Sequence, residues 1–187
     1  ALGMDFVAIL DHRQVRHMYL PEWEDGLFIC GTEPGAVIKD CVAIGGHNDI
    51  HYNMLFPHKY GLAMVLANFP EFQFHGDELT GSFRYFHAPK SRYIELFDYV
   101  KSIGGIVVHA HPKTMLVSGD PLDYYYGEHT YIETIYDTVD SAATRNNYKL
   151  WCDLLAMGKH VYASGGSDSH SDTKNTALSS FYTTEKN

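Results

Sequence analysis

Two stretches of this chain repeat one order of events: a helical apolar stripe, a glycine stop, a short apolar run and a polar tip. In residues 93–103, Tyr93, Leu96, Phe97, Val100 and Ile103 recur at the spacing of a helix that buries one face. Gly104-Gly105 ends the stripe, as glycine does after a last helical turn. Ile106-Val107-Val108 then reads as a strand and runs into His109-Ala110-His111-Pro112. Trp151, Leu154, Leu155 and Gly158 repeat the pattern, with Lys159 and His160 at the end of the helix that favours positive charge. Residues 161–164 form the next strand, tipped by Gly165-Gly166-Ser167-Asp168-Ser169-His170. Helices that alternate with short apolar strands specify an α/β fold with a parallel sheet.

Other segments fit that reading. Residues 5–10 are a short apolar run of the kind covered on both faces, ending in Asp11-His12-Arg13. Residues 27–30 make a second, followed by Gly31-Thr32-Glu33-Pro34-Gly35. Residues 41–44 and 50–56 read as two strands around the polar segment Gly45-Gly46-His47-Asn48-Asp49. Residues 60–91 are mixed: 62–67 could start a helix, while Pro70 and the aromatics after it suggest an irregular packed excursion. The 187 residues suit a single domain over 1–187, long enough to bury roughly 70% of its unfolded surface.

Charge and composition exclude several classes. Fourteen Lys and Arg against 23 Asp and Glu give a net charge of −9 with no basic run, so binding to a nucleic-acid backbone is not expected. The longest apolar runs, 6–10 and 62–67, are too short to span a membrane, and no signal peptide opens the chain. Cys30, Cys41 and Cys152 form neither a disulfide framework nor a zinc knuckle. With no Asn-x-Ser/Thr sequon, they point to reduced thiols and a cytoplasmic location. Nucleophile elbow, Walker loop, dinucleotide fingerprint and His-Glu-x-x-His motifs are all missing.

Twelve histidines are the unusual count, because imidazole is the commonest protein metal ligand. Asp11-His12, Glu33, His51, His109 and His111, and Asp168 and His170 all fall at or near strand tips, where α/β proteins place their chemistry. Nitrogen and oxygen donors without thiolate fit a working Zn, Mn or Fe site better than a structural zinc. His109 and His111, two residues apart, would share one strand face. His47 is an alternative to His51. His17, His58, His75, His87, His129 and His160 have no such context and are assigned surface or packing roles.

Taken in order, Asp11-His12, Gly31-Thr32-Glu33, His51 ahead of Asn53 and Leu55-Phe56, Ala110-His111-Pro112 and Gly166-Ser167-Asp168-Ser169-His170 resemble the PHP (polymerase and histidinol phosphatase) family of metal-dependent phosphoesterases. The segment from Trp151 to His170 resembles its stand-alone bacterial hydrolases rather than its polymerase-attached domains. The resemblance implies a distorted seven-stranded (β/α) barrel, TIM-like in outline, holding up to three divalent ions, with His12, Glu33, His51, His111, Asp168 and His170 as ligands. The family opens with His-x-His and a third histidine, which lie ahead of the first residue here, so the chain reads as incomplete at its N-terminus. Of the implied ion positions, the one using Glu33, His51 and His111 retains all its ligands.

The expected activity is hydrolysis of a small phosphorylated substrate by a hydroxide generated on a multinuclear metal centre. His12, Asp168 and His170 are the catalytic candidates, with His12 or His170 protonating the leaving group, and Arg13 and Lys113 the candidates for gripping a phosphate oxygen. Two alternatives stand beside it. The same cluster could cleave a carboxylic ester, carbamate or amide, or the chain could be a PHP-like module that binds metal without catalysis.

Overall fold

A computed structural model describes residues 6–12, 15–40, 49–72, 74–75, 82–83, 86–116, 118–136, 138–166 and 168. The chain is mixed α/β. In order it runs through β1 (Val7–Ala8), β2 (Phe28–Thr32), β3 (Gly35–Ile38), β4 (Asp49–Phe56), α1 (Tyr60–Asn68), β5 (Phe74–His75), β6 (Ser82–Phe83), β7 (Phe86–Ala88) and α2 (Lys90–Ser102). There follow β8 (Ile106–Ala110), the single turn α3 (Pro112–Met115), β9 (Tyr131–Tyr136), α4 (Ala142–Ala156) and β10 (Tyr162–Gly166). β5 and β6 pair as a separate small hairpin.

The main sheet is a curled half-barrel in the order β1-β2-β4-β8-β9-β10, compatible with an α/β barrel; β3 also pairs with β4, and β7 with β3. The parallel sheet expected from the alternating pattern holds at the flanks and not in the middle. β4 runs antiparallel to β2, β3 and β8, whereas β1–β2, β3–β7, β8–β9 and β9–β10 are parallel. A parallel return needs a crossover of a dozen or more residues. Only ten residues separate the end of β3 at Ile38 from the start of β4 at Asp49. The expected strand at 41–44 lies outside the described residues.

β2 and β3 behave as one ribbon along the edge of β4. Thr32 opposes Met54 and Gly35 opposes His51, so the register passes through Glu33-Pro34 without a slip. The even residues of β4 (Tyr52, Met54, Phe56) are buried in the main core with Tyr93, Leu96, Phe97 and Val100 of α2 and Leu62 and Val65 of α1. Residues His51 and Asn53 therefore face the other way. A second core under α4 joins Leu150 and Leu154 to Ile132, Val161, Leu116 and Tyr124.

Helix boundaries follow local chemistry. The Ser141 side chain accepts from Thr144 N at 3.0 Å and caps α4. At the end of α2, Gly104 adopts φ +83°, the left-handed conformation that glycine takes without a Cβ penalty. Among the described residues, no helix is long and apolar enough to cross a membrane.

Candidate metal centre

Glu33 occupies the break between β2 and β3, and the surrounding register explains its company. Continuous pairing puts Glu33 opposite Asn53, so His51, two residues along β4, lies diagonally across on the same face. His51 Nδ1 sits 2.9 Å from Glu33 Oε1. From the other side, Glu33 N donates to Asp11 O at 3.1 Å and His12 forms a parallel bridge with Glu33. That brings His12 Nδ1 within 3.5 Å of Glu33 Oε1. His51 pairs with Ala110 on β8, and the next residue, His111, reaches back so that its Nε2 is 3.6 Å from Glu33 Oε1. One carboxylate oxygen thus faces three imidazoles from three chain segments.

His111 gets there by leaving the strand. Its φ of +28° and ψ of +54° place it in the left-handed region, which costs on the order of 1–3 kcal/mol for a residue with a side chain. This corrects the expectation that His109 and His111 share a strand face. The strand ends at Ala110, and the left-handed turn breaks the alternation. His109, opposite Tyr52 on β4, is fully buried between the rings of Tyr124 and Tyr126. Its Nδ1 lies 3.3 Å from Tyr124 O, and burial pushes its pKa down to about 3.

Asp168 completes the group. It too is left-handed, at φ +46°, and its Oδ2 accepts a hydrogen bond from Tyr136 OH at 3.0 Å. The donor atoms form two compact sets, His12–Glu33–His51 and Glu33–His111–Asp168, each with its atoms within 4.8 Å of one another. Glu33 belongs to both. The structure thus brings together five of the six ligand candidates; His170 and the phosphate candidate Arg13 lie outside the described residues. Lys113 is engaged elsewhere: its ammonium donates to Ser118 O at 2.8 Å and rests 4.0 Å over the Tyr124 ring.

The carboxylates and imidazoles of the cluster perturb one another. Burial would raise the Glu33 carboxyl, but contacts from His111 and His51 and the neighbouring His12 bring it down to about 2. Burial works against protonating His111, yet the pull of Glu33, Glu133 and Asp168 leaves its pKa raised. Thr114 Oγ1 donates to His111 O at 2.7 Å and lies 2.8 Å from His111 Nδ1. A hydroxyl has one proton, so it can only accept from Nδ1–H. Nε2 is then turned toward Glu33, buried and without a hydrogen-bond partner. A buried ring nitrogen among carboxylates and imidazoles, with an acceptor for Nδ1–H behind the ring, fits a divalent metal ion.

Three participants escaped the sequence reading: Thr114, Tyr136 and Glu133. Glu133 is a buried acid in the middle of β9 whose Oε2 accepts from His111 N at 2.6 Å. Burial, reinforced by Glu33 and Asp168, raises its pKa to about 7 against the opposing pull of His111. The signal was there, since a lone carboxylate interrupts the run Tyr-Ile-Glu-Thr-Ile-Tyr. Of the other histidines described, His17 is buried against Trp23, with Nδ1 3.1 Å from Asp11 Oδ2, His129 stacks between His160 and Tyr162, and His58 and His87 are exposed; His47 and the side chain of His75 lie outside the described residues. Comparison with family models, with curated proteins and with solved structures returns no match, so the geometry of the site carries the functional argument.

Proposed function

We propose that this chain is a metal-dependent hydrolase acting on small phosphoesters, built on a PHP-type barrel of which the half-barrel sheet forms part. The observation that carries this reading is Glu33. Its Oε1 faces His12, His51 and His111, and it is common to two donor sets. Two sets sharing a carboxylate suit two adjacent cations, with His12 and His51 on one side and His111 and Asp168 on the other. When bound, divalent cations at such a site polarise phosphoryl oxygens and acidify water. Zn, Mn and Fe all accept this nitrogen and oxygen donor set.

The chain's own residues supply the rest. Glu33, ionised down to about pH 2, offers negative charge at any working pH. Thr114 accepts from Nδ1–H of His111 and so orients the ring with Nε2 toward Glu33. Tyr136 orients Asp168 by donating to its Oδ2. His12 is 43% exposed, against 14% for His51 and 5% for His111. When no cation holds it, His12 is the described imidazole best placed to meet a substrate and hand a proton to the leaving oxygen, and His170 is the further candidate. Phosphate gripping by Arg13, and by Lys113 if it leaves Ser118, belongs to the same proposal.

The test is a substrate panel of phosphomonoesters, phosphodiesters, carboxylic esters, carbamates and amides, with protein loaded with Mn or Zn. Phosphate release that disappears in Glu33→Ala and His111→Ala is the expected result. Ester, carbamate or amide turnover without phosphate release would overturn the substrate class. Tight metal binding with no turnover of any class would overturn catalysis.

A further inference from the structure

Two of the ligand-bearing tips hang on one acid that is not itself in either donor set. Glu133 Oε2 accepts the backbone N–H of His111 at 2.6 Å, and this bond links the middle of β9 to the left-handed turn after β8. Its other oxygen points at β10. A Cβ built on Gly166 would overlap Glu133 Oε1, so a side chain there, two residues before Asp168, would force the carboxylate to move. β10 also shifts register against β9 between Ser164 and Gly165, the kind of bulge that re-aims a strand end.

We infer that Glu133 is a positioning residue that sets the two tips, His111 and Asp168, at their mutual distance by bonding one and packing against the bare backbone of the other. The inference rests on the metal-centre reading and adds a residue to it. Glu133 acts on the ligands through backbone. Truncating it frees the His111 turn to relax from its strained conformation and opens space beside Gly166. Outer partners that orient ligands commonly change metal affinity by about 10- to 100-fold when removed. The amide of Glu133→Gln keeps an acceptor for the His111 N–H and keeps the volume, so it retains the positioning role.

The experiment is a cobalt(II) titration of the metal-free protein, read by visible ligand-field absorption and by chelator competition. The proteins are wild type, Glu133→Ala, Glu133→Gln, Gly166→Ala, the double variant Glu133→Ala/Gly166→Ala, and Glu33→Ala. Glu133→Ala is expected to lower affinity by about 10- to 100-fold and shift the bands, with both restored toward wild type in Glu133→Gln. Gly166→Ala should weaken binding in the wild-type background and cost nothing further once Glu133 is alanine. If Glu133→Ala binds cobalt with wild-type affinity and bands while Glu33→Ala loses it, the positioning role is wrong and the metal centre stands. If Glu33→Ala binds as wild type, the metal centre is wrong and the role of Glu133 falls with it. Should Glu133→Ala not fold, Gly166→Ala alone decides: unchanged affinity overturns the inference.

Discussion

The hydroxyl of Thr114 donates its one proton to the carbonyl of His111 and accepts a hydrogen bond from Nδ1–H of the same residue. The ring is thereby committed to presenting Nε2 toward Glu33. Thr114→Val, nearly the same shape, removes that commitment. Zinc affinity measured by calorimetry should drop by about 10-fold or more, and Thr114→Ser should recover most of it. Equal affinity for valine and threonine would show that His111 is oriented by something else.

Glu33 stands in both donor sets, so its loss should cost more metal than the loss of any single imidazole. Elemental analysis of Glu33→Ala, His111→Ala and the remote surface variant His160→Ala should rank them in that order, with the last near wild type. A control that loses as much metal as the other two would sink the assignment.

A ligand that binds only the folded chain stabilises it by mass action. At a free metal concentration 100 times the dissociation constant the gain is about 2.7 kcal/mol, and for a domain of this size each kcal/mol moves Tm by about 2–4 °C. Adding Zn or Mn to metal-free protein should raise Tm by about 5–11 °C, and a chelator should reverse it. No shift in wild type would remove the premise of a preformed site.

His109 is neutral in the fold because burial holds its pKa near 3, below the 6.5 of an exposed histidine. The unfolded chain binds this proton first, so the contribution to stability is full above about pH 6.5 and drains away as pH falls toward 3. The metal-free protein should therefore lose on the order of 2–3 kcal/mol through this group between pH 6 and pH 4. Urea unfolding of His109→Gln across that range should show a shallower pH dependence. An unchanged slope would mean that His109 is hydrated or already protonated in the native state.

Much of the site was legible because its donors sit at strand ends, and strand ends announce themselves: an apolar run stops and a carboxylate or imidazole follows. That is how Glu33, His51, His111 and Asp168 could be named. What sequence concealed was direction. The run 50–56 carries both a core face and a site face, and although it read as one of two strands around a turn, nothing in it shows that it runs against β2 and β8 as well. β9 was missed because Glu133 breaks its apolar character. The first half of α4 was missed because Thr144 and Asn147, both buried, stand where a helix stripe would carry leucines. The His109–His111 pairing failed for a different reason: a two-residue period holds only while the backbone stays extended, and His111 does not.

The unbroken pairing of Thr32 with Met54 and Gly35 with His51 has a consequence for how this chain can change over generations. Along β4, alternate codons answer to different demands, Tyr52 and Met54 to the interior and His51 and Asn53 to the centre. Single substitutions can therefore retune one without disturbing the other. A deleted or inserted codon anywhere between Gly31 and Gly35 would turn Glu33 away from His51 and carry the flanking apolar residues out of the interior in the same stroke. The segment tolerates replacement and resists changes of length, so variants of this centre should differ in the letters between Gly31 and Gly35 and never in their number.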